Sequence, residues 1–204
     1  MSTFVIEHME EGFSDWVKLE YAAIASDVGS DKFYLSSLPK GTELPEILIK
    51  AEVQGTETEI TKFETVIPSF DKSRVCLLDP SAEETLSPED GDKFDIFLFG
   101  GILGDHPPRD RTGELRKYGF AGRNLDKFQM TTDTAVRVTK KVVDDKIPID
   151  KIPYVDYPEL KFSKYESTEM PFRYVTDAEG KPIMPKGMFE LIKMDSEKSL
   201  DDML

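Results

Sequence analysis

Residues Phe99 to Arg111 read FGGILGDHPPRDR, where an apolar run meets three glycines, an acid, a histidine and two prolines. Glycine lets backbone approach a ligand closely, and Pro107 and Pro108 keep the chain from simply turning into a helix. The stretch Phe99, Gly100, Gly101, Ile102, Leu103 and Gly104 therefore offers several accessible amides, with Asp105 the first acid beyond them. A second loop follows RVCLLDP, at Leu78, Asp79 and Pro80, and a third leads through Leu125, Lys127, Gln129 and Met130 to Thr131. Three such loops at one sheet edge could enclose an adenosine; the alternative is that the glycines only permit tight turns.

Other chemistries lack their groups. A zinc site would need His8, His106 and carboxylates gathered from distant positions, so no metal is expected. There is no G-x-x-x-x-G-K-[ST] loop and no G-x-S-x-G elbow, which removes the usual support for NTPase and serine-hydrolase readings. The glycine loop also departs from G-x-G-x-x-G, with prolines where a dinucleotide-binding helix would start. Cys76, the single cysteine, lies in apolar VCLL and is expected to pack as a small hydrophobe.

The elements that must position these loops alternate between strand and helix. TFVIEHM reads as a strand, and Ser14 can cap a helix with Phe13, Trp16, Val17, Tyr21, Ile24 and Val28 on one face. KFYLSSL reads as a strand and PEILIKAEV as a short helix, while residues 54–70 fit neither period. RVCLL and DIFLF are short, apolar and bounded by turn residues, as strands buried on both faces are. A helix is expected over Arg109 to Tyr118, and RNLDKFQM leads to a helix capped at Thr131 or Thr132 with Ala135, Val138 and Val142 buried. IPYVDYPELKF and FRYV are the remaining strand candidates, Gly187 to Met194 reads as helix, and SEKSLDDML as an acidic tail. This alternation predicts an α/β fold with a mostly parallel sheet, helices on both faces and a ligand site at the carboxyl ends of central strands.

A chain of 204 residues, 39% hydrophobic, is enough for one large core. No run approaches the roughly 18 apolar residues of a membrane span, and Met1 to Glu10 does not read as a signal peptide, so a soluble, cytoplasmic protein is expected. The net charge of −14 is unevenly shared: residues 1–100 carry 8 basic and 21 acidic side chains, a balance of −13, leaving −1 for the rest. An acidic half repels phosphate backbones and attracts basic partners.

FGGILGD and GRNLDKFQMTTDTA, from Gly122 to Ala135, resemble the two cofactor-binding segments of the SPOUT methyltransferases. Over nearly the whole chain the strings EHMEEGFSDW, VCLLDP, FGGILGDHPPRDR, QMTTDTA, TEMPFRYV and SLDDML are similar to the fungal protein-arginine branch of that class. The resemblance implies a single domain with a deep trefoil knot, residues 158–204 forming an extension packed on it, and S-adenosylmethionine held by backbone around the three loops. It implies further that the acceptor is an arginine of a basic ribosomal protein, the third protein of the small subunit. RNA-modifying relatives carry asparagine, glycine and arginine after the first strand; here EHMEEGFSDW offers Glu7, Glu10, Glu11 and Asp15 instead.

That departure suits a guanidinium, which stays charged at neutral pH and is held in a bidentate way by carboxylates. Asp105 is the expected site acid, Glu7 and Glu10 the expected anchors, and Glu169 a third candidate. The runner-up is an RNA methyltransferase, supported by Arg109, Arg111, Arg116, Lys117, Arg123 and Lys127 outnumbering Asp110, Glu114 and Asp126. A non-catalytic adaptor for a basic protein is the third reading. SPOUT enzymes usually dimerise through knot helices, and the apolar EMPFRYV and GMFELIKM could cover that face, so a monomer is expected.

Overall fold

The structure, a computed structural model, describes residues 1–8, 10–100 and 112–203. Its centre is a six-stranded, all-parallel sheet built from β1 (Thr3–Glu7), β2 (Phe33–Ser36), β3 (Gln54–Gly55), β4 (Val75–Leu78), β5 (Ile96–Gly100) and β6 (Ala121–Arg123), in the order β3-β2-β1-β5-β4-β6. The apolar runs VCLL and IFLFG are buried along their whole length, as expected of strands covered on both faces.

One face of the sheet, formed by Phe4, Ile6, Cys76, Leu78, Phe97 and Phe99, packs against two long helices. These are α1 (Asp15–Val28) and α5 (Thr132–Val143). Ser14 caps α1 by accepting the Val17 N–H at 3.2 Å, and Val17, Tyr21, Ile24 and Val28 are its buried stripe. The opposite face, Val5, Val75, Leu77, Ile96 and Leu98, is covered by Ile60 and Phe63 of a 3-10 segment and by Leu115 of α4 (Thr112–Arg116). The short helix α2 (Glu46–Lys50) follows β2, and α3 (Asp90–Lys93) precedes β5. A Cβ on Gly91 of α3 would stand 2.3 Å from the Val143 carbonyl, so only glycine permits this approach to the end of α5.

The parallel α/β architecture follows the expectation from the sequence. Cys76 is fully buried, and burial pushes its thiol up to about 12. Three local features differ from it. Residues 121–123, expected only as a lead-in, form β6: AGR has no apolar alternation, and it is a strand because it pairs with Cys76 to Leu78. IPYVDYPELKF divides at Tyr157, whose φ is +52°, into β7 (Tyr154–Asp156) and β8 (Glu159–Lys161). These pair antiparallel with β10 (Arg173–Val175) and β9 (Ser167–Glu169), respectively. SEKSLDDML, expected as a free tail, is helical to Asp201 as part of α6 (Met188–Asp201). Met188 and Ile192 of α6 pack with Leu160, Met170 and Tyr174, against Trp16 and Leu19 of α1. Among the described residues no helix is long and apolar enough to cross a membrane.

Candidate active site

At the carboxyl edge of the sheet, the ends of β4, β5 and β6 open into a cavity of about 450 Å³, within the usual size of a small-molecule site. Leu78, Asp79, Pro80 and Ser81 form one wall, and Phe99, Gly100 and Thr112 a second. Leu125 to Met130 and the first turns of α5, at Thr132 and Ala135, close the third. Of the expected cofactor residues, the structure thus gathers Leu78, Asp79, Pro80, Phe99, Gly100, Leu125, Lys127, Gln129 and Met130 around one space. Gly101, Ile102, Leu103, Gly104 and Asp105 lie outside the described residues. Thr131 sits beneath the wall: its hydroxyl donates to Asp133 Oδ1 at 2.8 Å and pairs with that of Thr134 at 2.7 Å.

Two observations mark the cavity as made for a ligand. A Cβ on Gly100 would meet Thr112 at 3.5 Å, an ordinary contact, so packing among the described residues does not require glycine there. The Thr112 hydroxyl is buried and has no hydrogen-bond partner among the described residues, an arrangement that costs about 1–3 kcal/mol unless something bonds it.

Ion pairs hold the walls in place. Asp79 takes Arg116 in a two-point grip, Nε to Oδ2 at 2.6 Å and a terminal nitrogen to Oδ1 at 2.7 Å. Arg116 beside it holds the Asp79 carboxyl below the usual carboxylate range. At the third wall Asp126 adopts φ +75°, a conformation uncommon outside glycine. Arg173 of β10 fixes that loop: its guanidinium lies 3.5 Å from the Phe128 ring centroid and 4.4 Å from that of Tyr154. The guanidinium bonds Asp156 at 2.6 and 3.1 Å, and the backbone N–H of Arg173 donates to the Gln129 carbonyl at 2.8 Å. Arg173→Ala is therefore expected to speed amide hydrogen exchange across residues 126–130 while leaving β4 and β5 protected.

Beneath the third wall, Glu20 of α1 accepts the Asp133 N–H at 3.0 Å and so caps α5 from another helix. Burial raises both the Glu20 and Asp133 carboxyls; the Asp133 charge raises Glu20 further, while Arg137 and hydrogen bonds from Thr131 and Glu20 hold Asp133 toward its charged form. The expected cap at Thr131 or Thr132 is thus right in position, at Thr131, and differs in the accepting group, since the Thr131 side chain makes no cap bond and Glu20 accepts instead.

A second recess, about 330 Å³, adjoins the first. Glu7, His8, Glu10, Glu11, Ser37, Glu114 and Tyr118 line it, and in the parallel ladder Glu7 stands directly opposite Gly100. Glu7 is 5% exposed and accepts the Ser37 hydroxyl, while its Oε2 has no partner. Burial pushes its carboxyl up to about 7, reinforced by nearby Glu59 and opposed by a serine hydrogen bond. Ser37 reaches it from a φ of +54°. His8 is built into the scaffold: Nε2 donates to the Gly12 carbonyl and Nδ1 accepts the Tyr21 hydroxyl, each at 2.8 Å, with the ring stacked on Phe13. Glu169 is elsewhere, opposite Glu159 in the β8–β9 hairpin.

Sequence reasoning did not single out Thr112, Phe128, Tyr118 or Arg173, and it read Arg116 and Asp126 only as charges in one run. The run of cations from Arg109 to Lys127 drew attention as a possible RNA face, yet Arg116 is bound to Asp79 and Arg123 to Asp90 at 3.2 Å. Only a structure pairs those residues across 33 and 37 positions of chain.

The profile of the family described as "Protein arginine N-methyltransferase SFM1-like" matches residues 3–199. The chain is 51% identical over 210 residues to protein arginine N-methyltransferase SFM1 of Saccharomyces cerevisiae, covering 98% of this chain and 99% of that one. It also superposes on the crystal structure of the yeast arginine methyltransferase SFM1 complexed with SAM at a TM-score of 0.91, with 51% identity, over 96% of this chain and 92% of that chain. The corresponding SAH complex gives 0.89 and 50% identity, over 93% and 94% of the two chains.

Proposed function

The chain belongs to the SFM1-like family of protein arginine N-methyltransferases, and on that premise we propose that it moves a methyl group from S-adenosylmethionine to an arginine of a basic ribosomal protein, the third protein of the small subunit. The observation that carries the reading is the Glu7–Gly100 pair in the β1–β5 ladder. It sets an acidic recess directly beside the cavity of a size and lining suited to the cofactor. Leu78, Phe99, Leu125, Met130 and Ala135 would pack around the cofactor's apolar parts, with Thr112 and loop amides available to its polar groups. When bound it supplies an electrophilic methyl on a sulfonium.

The residues of this chain then do three things. Glu7 and Glu10 hold the guanidinium through its N–H groups and aim one nitrogen along the methyl–sulfur bond, so that much of the acceleration comes from proximity and orientation. As the nitrogen–carbon bond forms and the sulfur–carbon bond breaks, the nitrogen releases one proton, which a carboxylate accepts. Asp105 is the proposed acceptor beside the glycine loop, with Glu7 in the same role if the nitrogen approaches from β1. The walls exclude water from the transfer.

We also read the chain as one SPOUT domain with a deep trefoil knot, residues 158–204 as an extension packed on it, cytoplasmic and monomeric; a dimer mass in light scattering would overturn the last point. An RNA acceptor is less well supported, because Arg116 and Arg123, two of the cations that favoured it, are committed to carboxylates. Incubation with labelled cofactor and small ribosomal subunits should place label on protein arginine. Label confined to RNA would overturn the proposal. Gly100→Ala should fold as stably as the parent, since among the described residues its Cβ makes only ordinary contacts with Thr112, yet bind S-adenosylhomocysteine more weakly in calorimetry. Unchanged affinity would remove Gly100 from the site.

A further inference from the structure

One side chain of the acidic recess has no part in the transfer just described. Tyr118 lies at its rim, 37% exposed, in the turn that ends α4. The turn is fixed: the Tyr118 N–H donates to the Leu115 carbonyl at 3.1 Å, and Gly119, at φ +77°, donates to Arg116 at 3.2 Å. Phe120 braces the ring edge-on, with centroids 6.2 Å apart. Around it stand Glu7 and Glu114 in the recess lining, while partial burial, then Glu59, Glu7 and Glu114, raise the phenol above its ordinary value. An aromatic face set among carboxylates is a poor place for an anion and a good one for a flat cation.

Glu7 of the recess lining is a second, independent sign of a ligand: it is 5% exposed, and its buried Oε2 has no hydrogen-bond donor among the described residues. A guanidinium meets both features at once. Its edge offers paired N–H groups to a carboxylate, and its weakly hydrated plane stacks on an aromatic ring; an ammonium has no plane, keeps its water more strongly and gains less from the ring.

We propose that the acidic recess is a guanidinium seat in which Glu7 takes the edge of the acceptor arginine and the Tyr118 ring stacks on its plane, so that Tyr118 makes the site select arginine over lysine. The inference rests on the arginine-transfer reading above and names the residue that enforces it. Tyr118 is a specificity residue: it binds the acceptor and leaves the cofactor alone.

The test uses the full chain saturated with S-adenosylhomocysteine and titrated with N-acetyl-argininamide or N-acetyl-lysinamide, followed by NMR. Stacking should shift the arginine δ-methylene protons upfield, and argininamide should bind more tightly than lysinamide by a factor of roughly three to thirty. Tyr118→Phe should keep that preference. Tyr118→Leu should abolish it while its S-adenosylhomocysteine affinity and melting temperature stay at the parental values, and in the transfer assay should raise KM for the ribosomal protein more than it lowers kcat. Equal binding of the two amides by the parent, or an undiminished preference in Tyr118→Leu, would overturn the seat. A parent that prefers argininamide but labels no ribosomal protein would support the seat and overturn the transfer reading, so the two fail separately.

Discussion

Glu7→Gln is expected to abolish methyl transfer, by about two orders of magnitude or more, while leaving cofactor binding close to the parental value and making the protein more stable at neutral and alkaline pH. The stability gain follows from the sign of the Glu7 shift. Its folded carboxyl titrates near 7 against an ordinary 4.5, because burial penalises the charged form. A raised carboxyl favours the native state fully below the unfolded value, and that advantage is lost as pH rises through about 7. Glutamine carries no charge to bury, so the variant should exceed the parent at about pH 8 by on the order of 2–3 kcal/mol, with the difference vanishing near pH 4. Urea unfolding at the two pH values measures it. The same shift predicts that kcat/KM for the protein acceptor rises through a pKa near 7, as the free enzyme's Glu7 ionises to meet the guanidinium. A Glu7→Gln enzyme that keeps transfer, or one less stable than the parent at alkaline pH, would contradict this account.

Asp79→Ala is expected to damage both recesses at once. The Asp79–Arg116 grip ties the end of β4 to α4. That helix carries Thr112 in the cofactor cavity, Glu114 and Leu115 in the acidic recess, and leads to Tyr118. Without the carboxylate, α4 loses its two-point tie to the end of β4. Asp79 is buried but the Arg116 side chain is 40% exposed, so solvent screening limits the loss to roughly 1–3 kcal/mol. The functional loss is larger, because cofactor affinity and acceptor KM should worsen together, whereas Glu7→Gln touches only the acceptor side. Here the pH sign is opposite: the Asp79 carboxyl is depressed by Arg116, so its contribution is complete above the ordinary carboxylate range and fades as pH falls through the depressed value. Parent and variant should converge in acid. Arg116→Lys, which keeps the charge but not the planar fork, should fall between them.

The sequence was most readable where one period or one run dominates. VCLL and IFLFG could only be buried strands, and Ser14 ahead of a regular apolar stripe could only begin a helix; the structure has both. The three loops were visible as glycine, proline and capping signals after strands, and most of their described residues do meet around one cavity. What could not be read is what depends on pairing across the chain. AGR becomes β6 only because β4 lends it partners. Arg173 looks like a strand residue until Phe128 and Tyr154 appear on its flanks, and Asp79 looks like a ligand until Arg116 occupies its carboxylate. Glu7 was marked by the family resemblance, as an acid where RNA-modifying relatives differ, but its burial, and so its pKa, comes from the strands on either side of it.

The strand order has a consequence for how the chain reaches this state. β1, N-terminal to the other strands, sits in the middle of the sheet between β2 and β5, and its register with β5 joins Thr3 to Ile96 and Glu7 to Gly100. It can pair with β2 early, but its other edge stays open until β5 has been made. Parallel pairings so distant in sequence form slowly and leave apolar edges exposed meanwhile. Nascent protein should therefore depend on chaperones until β5 emerges, and refolding from urea should be slow and prone to aggregation at a rate set by closure of the β1–β5 seam, the same seam that brings the methyl donor beside its acceptor.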